Sequence, residues 1–205
     1  MNELKVATSS QRRNGSVANG DVTVVGGAGH VGIPLVLSLA ESGLCVNVND
    51  LNKQALDVLK AGRLPFIEYG AASLLTKALA GNKLIFTSAP DEISTNGPVI
   101  VTIGTPIDEF FNPVRQVVQD CIDALLPYIE DGRLIVLRST IFPGTTDWVH
   151  AYLNRCGRNI KVAFCPDFTA AFYCIAVVKV DKVSPSYSRW AAQKRRARNK
   201  GAESC

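Results

Sequence analysis

The stretch VVGGAGHVG, residues 24–32, sets Gly27, Gly29 and Gly32 in the spacing G-x-G-x-x-G, behind a β-branched run and ahead of an apolar helical one. Each glycine has a physical task in such a turn. Gly27 permits the tight bend, Gly29 lets a diphosphate come up to the backbone, and Gly32 lets the helix lie close to the strand. The amides at the helix start favour negative charge, with His30 and Val31 as loop residues beside the diphosphate. Three glycines so spaced also make ordinary tight turns, so the context decides. Asp50 supplies that context, closing the next β-run eighteen residues after Gly32. A carboxylate there accepts hydrogen bonds from ribose hydroxyls and repels an added 2′-phosphate, which points to NAD rather than NADP. The other reading of Asp50 is an acid at the start of the helix in NDLNK.

Further candidates stand where later β-runs end. VTIGTP sets Thr105 and Pro106 at one end, RSTIFPGTT sets Thr140 and Pro143 at the next, and AFCPD sets Asp167 at the last. In open parallel sheets ligands bind beyond the carboxyl ends of the strands, so these residues share one rim. Taken singly, each also fits a plain turn or cap, because Thr, Pro and Asp are common strand-to-helix loop residues.

The elements that must position them follow from periodicity. Six short apolar or β-branched runs read as strands, at 21–26, 44–50, 83–88, 98–104, 133–139 and 159–165. Helical recurrence fills 33–43, 52–62, the end of 64–81, 114–132 and 144–157, and Pro34 is tolerated in the first turn of the first helix. Alternating strands and helices predict an α/β fold, a Rossmann-like doubly wound parallel sheet of about six strands covered on both faces. Residues 1–20 read as a loose leader, 21–167 as one dinucleotide-binding domain, and 168–205 as a tail.

Composition separates those parts. Residues 1–167 hold 14 Lys/Arg against 16 Asp/Glu, whereas 168–205 hold 8 against 2. The basic surplus therefore belongs to the tail, and the folded part has none to offer a polyanion. Six scattered cysteines without a CxxC pair read as reduced thiols, and His30 and His150 stand too far apart for a His-based metal site. The polar first twenty residues lack a secretory leader's apolar core, and FTAAFYCIAVV is too short to span a bilayer. A cytoplasmic protein is the expectation.

As a set, GGAGHVG, LPFIEYG, LIFTS, VTIGTP, RSTIFPGTT and AFCPD resemble, in order and spacing, the UDP-glucose/GDP-mannose dehydrogenase family. The likeness covers about residues 21–167, nearly all of that family's N-terminal cofactor domain, and looks closest to the UDP-N-acetylhexosamine 6-dehydrogenases. It implies oxidation of the C6 alcohol of a UDP-sugar to a carboxylate with two NAD per turnover, in polysaccharide precursor synthesis. Carried over by motif, Gly27, Gly29, Gly32 and Asp50 would hold NAD, and Thr105, Pro106 and Thr140 would line the cofactor and reaction cleft. Asp167 stands where the family normally has a glutamate that manages water and protons, one methylene shorter. Glu68 matches a recurrent family acid, with a structural role the alternative.

The resemblance also implies parts that this sequence does not contain. The family's nucleophilic cysteine, in a GFGGSCFPKD-like motif, forms a thiohemiacetal with the aldehyde intermediate, and a lysine balances alkoxide charge. Neither motif occurs in the 205 residues, so the chain is expected to be inactive alone, with a non-catalytic NAD-binding module or pseudogene product as the alternative. Loss of the family's central helix would leave apolar surface for homodimerisation or aggregation. The tail departs from the family pattern, which suggests a frameshift or early stop and a solvated end. Its rival is an electrostatic contact of KRRARNK, near Tyr187 and Trp190, with nucleic acid or an anionic membrane, although no recognised binding motif accompanies it.

Overall fold

In the computed structural model, residues 19–104, 109, 114–138 and 144–165 are described. Valine, isoleucine and threonine favour the pleated backbone, and their short runs become six strands. These are β1 (Val22–Val25), β2 (Val46–Asn49), β3 (Leu84–Thr87), β4 (Val99–Val101), β5 (Leu134–Leu137) and β6 (Lys161–Phe164). They form one parallel sheet in the order β3-β2-β1-β4-β5-β6. The doubly wound parallel sheet expected from the sequence is present, and its strand order reverses direction between β1 and β4.

Among the described residues five α-helices connect the strands: α1 (Gly32–Glu41), α2 (Lys53–Lys60), α3 (Ala71–Ala80), α4 (Arg115–Leu125) and α5 (Thr145–Arg155). The fourth is shorter than its amphipathic pattern suggests, since 114–132 reads as one helix. Pro127 has no amide to donate and its ring crowds the carbonyl four residues back, so the chain tightens into a 3₁₀ turn at Leu126–Tyr128.

The two faces of the sheet differ. On one, Val22, Val24, Val46, Val48 and Ile100 pack against leucines of α1, α2 and α3. Leu39 is wholly buried there, and each such side chain contributes about 2 kcal/mol. The opposite face meets α4 and α5 over β4 and β5. Over β1, β2 and β3 it meets the β3–β4 crossover, which alone has no α-helix and carries only a 3₁₀ turn at Pro90–Glu92. Here the strands offer Thr23, Asn47 and Asn49, all buried. Asn47 Nδ2 donates to the Glu92 carbonyl (3.1 Å), and Asn49 Nδ2 to that of Ala89 (2.9 Å) and to Thr87 Oγ1 (2.9 Å). Thr87 Oγ1 donates in turn to Asn47 Oδ1 (2.7 Å). The Ser94 amide donates to Thr23 Oγ1 (3.2 Å), and the Arg133 guanidinium donates to the carbonyls of Ser94, Asn96 and Gly97.

Candidate cofactor site

The turn after β1 lies at the point where the strand order reverses. Gly26 and Gly27 donate their amides to the Asn49 carbonyl (2.9 and 3.2 Å), which ties the turn to the end of β2. The left-handed residue is Gly26, with φ +78°, not Gly27. Sequence reading gave the bend to Gly27 because 27, 29 and 32 satisfy the spacing; the doublet GG was the overlooked signal. Gly27 is needed for another reason. A Cβ there would stand 2.8 Å from Val48 Cγ1 and 2.9 Å from the Val24 carbonyl. Gly32 does what was expected of it: a Cβ would overlap the Gly26 carbonyl and lie 2.7 Å from Gly27 Cα, so only glycine lets α1 start this close. Gly29 is half-buried, and a Cβ there would meet one atom, the Gly26 carbonyl, at a tight 3.3 Å. Val31 precedes α1 and no side chain caps the helix; Ile33 donates its amide to the Gly29 carbonyl (2.9 Å) and Pro34 has none, so in the first turn the Gly32 amide is left for solvent or a ligand. A diphosphate fits beside the amide that this helix start leaves free.

Asp50 joins the turn from the side. Its Oδ2 accepts the Ala28 amide (3.0 Å), and its Oδ1 accepts the Asn52 amide (2.9 Å). Asn52, not Asp50, caps α2, through Oδ1 and the Ala55 amide (3.1 Å). The carboxylate is half-buried and has lone pairs beyond those two bonds. His30 is exposed, and its ring stacks on Phe66 at 3.8 Å between centroids, which brings the LPFIEYG loop against the glycine turn. Glu68 lies on that loop, half-buried, ahead of α3.

Thr105, Pro106, Thr140, Pro143 and Asp167 lie outside the described residues. The strands leading to them end side by side, with Thr102, Arg138 and Cys165 as the first residues past β4, β5 and β6. Arg138, overlooked in the RST motif, is buried at the end of β5, with Nη1 3.5 Å from Cys165 Sγ. No described cysteine has the setting of an activated nucleophile. Burial pushes the Cys121 thiol up to about 11; burial, then Asp21, raises that of Cys45 against the opposing pull of Lys83. Cys165 is buried and Cys156 ends α5. Among the described residues no group of His, Cys, Asp and Glu could hold a metal, and no helix is long and apolar enough to cross a membrane.

The sequence model of the NAD-binding domain of the UDP-glucose/GDP-mannose dehydrogenase family matches residues 21–183. The chain belongs to this family. The family match extends past Asp167, where the sequence pattern had set the boundary. The chain is 30% identical over 145 residues to the UDP-N-acetyl-D-mannosamine dehydrogenase of Methanococcus aeolicus, covering 69% of this chain and 32% of that protein. It is 31% identical over 145 residues to the UDP-glucose 6-dehydrogenase of Rickettsia prowazekii, covering 69% and 33%. Among solved structures, the UDP-N-acetyl-mannosamine dehydrogenase of Staphylococcus aureus superposes with a TM-score of 0.64 at 28% identity, over 71% of this chain and 36% of that one. The chain thus spans about a third of the length of the curated relatives it matches, and its matched part is the family's cofactor domain.

Proposed function

We propose that this chain binds NAD across the carboxyl ends of β1, β2 and β4, as the cofactor part of a dehydrogenase that oxidises the C6 alcohol of a UDP-sugar. The observation that carries the reading is the glycine turn with Asp50 bonded into it: a helix start with no side-chain cap, its Gly32 amide left free, and a carboxylate with spare lone pairs at the end of β2. In it, Gly27, Gly29, His30, Val31 and Gly32 surround the diphosphate, and Asp50 accepts from the ribose hydroxyls. Thr105, Pro106 and Thr140 line the cofactor and reaction cleft, and Asp167 helps manage the catalytic water and protons. Bound NAD would supply a hydride acceptor, and the chain's own part is to bind and orient it. The relatives' printed names favour UDP-N-acetylmannosamine or UDP-glucose as the sugar nucleotide.

Calorimetric titration of the full chain with NAD, with NADP as control, tests this. Saturable binding of NAD and at least about tenfold weaker NADP, roughly 1.4 kcal/mol, is the expected result. A cooperatively folded chain that binds neither, or binds NADP equally well, overturns it. We further propose a cytoplasmic location and self-association through exposed apolar side chains, of which Leu51, Ile67 and Tyr69 are at least 79% exposed. Size-exclusion chromatography at on the order of tens of micromolar checks the association. A single monomer peak there refutes it.

A further inference from the structure

The glycine turn closes on one oxygen. The Gly26 carbonyl accepts the Gly29 amide (3.2 Å), and Gly32 packs against it without room for a Cβ. A third group reaches it from another strand. Thr102, the first residue past β4, places its hydroxyl 3.0 Å from the Gly26 carbonyl and 2.8 Å from that of Val25. The side chain is buried, and a Cβ on Gly26 would stand 2.9 Å from Thr102 Oγ1. A hydroxyl has one proton, shared between these two acceptors. Holding the Gly26 carbonyl fixes the plane of the peptide that follows it, and with it the left-handed bend at Gly26 and the direction of the amides beyond.

The geometry points to Thr102 as the positioning residue of the diphosphate turn, acting through the Gly26 carbonyl and not on the cofactor itself. This rests on the NAD reading above. Its effect is separable from fold stability because neither carbonyl depends on the hydroxyl alone. That of Val25 also accepts the Thr102 amide (2.9 Å), and that of Gly26 the Gly29 amide. Thr102→Val keeps the shape and leaves both carbonyls with a donor, so the fold survives while the turn loosens. Thr102→Ser keeps the hydroxyl.

The test is titration of the full chain and both variants with NAD and, separately, with adenosine, which has the ribose but no diphosphate. Thr102→Val is expected to weaken NAD about tenfold, on the order of one net hydrogen bond, while adenosine binds within about twofold of the parent. Thr102→Ser is expected to bind NAD within about twofold of the parent. Thr102→Ala, which cannot overpack the site, carries the same expectation as valine and replaces it if the valine variant does not melt cooperatively. The inference is overturned if the hydroxyl-free variant binds NAD like the parent, if serine falls with valine, or if adenosine weakens in step with NAD. A parent chain that binds no NAD instead overturns the functional reading, before any substitution is made.

Discussion

Beneath α1, α2 and α3 the strands present Val22, Val24, Val46 and Val48 to a layer of leucines, whereas the same strands turn Thr23, Asn47 and Asn49 toward a crossover that has no α-helix. A helix satisfies its own backbone and asks of the sheet only apolar surface. An irregular segment brings bare carbonyls, and leaving one buried without a donor costs about 1–3 kcal/mol. The sheet meets that demand with asparagine amides on Glu92 and Ala89, and Arg133 covers the carbonyls of Ser94, Asn96 and Gly97. One face is therefore held by area, which tolerates reshaping. Over β1 to β3 the other is held largely by paired atoms, which do not.

The largest test of this contrast is Gly97→Ala. Gly97 has φ +67°, and a Cβ there would overlap the Asp21 carbonyl, so the crossover must shift or the strand must move. A loss of about 4 kcal/mol is expected in urea denaturation, and a variant that unfolds like the parent would mean that the crossover is not anchored. Next comes a matched pair, one substitution on each face. Leu39→Ala, in the apolar layer, is expected to cost about 3 kcal/mol, by loss of contact alone. Asn47→Leu adds apolar volume yet is expected to cost about 2 kcal/mol, because the Glu92 carbonyl loses its donor and the Thr87 hydroxyl its acceptor. A neutral Asn47→Leu would show that water replaces the amide and that the two faces are held alike.

The sheet was legible in sequence because VTVV, VIV and LIVL are runs whose burial on both faces leaves no alternation to confuse. VNVN in β2 is the exception: it alternates, a period of two that the sequence reading passed over and that matches the face meeting the crossover. Pro127 was equally visible, but the apolar period runs on through Ile129 and hides the break. The glycine turn was legible in its spacing and not in its dihedrals, so the bend went to Gly27 in place of Gly26. Neither the Asp50–Ala28 bond nor the Thr102 hydroxyl could be read, since each joins residues brought together only by the parallel register.

The bond between Asp50 and the Ala28 amide has a consequence for redesign. On the proposed reading the carboxylate both recognises the ribose and ties down the phosphate turn. Exchanging it for a small neutral residue to admit a 2′-phosphate would also untie Ala28. Preference for one coenzyme and rigidity of its cradle are thus inherited together, and a lineage that changes the first must rebuild the second at another position.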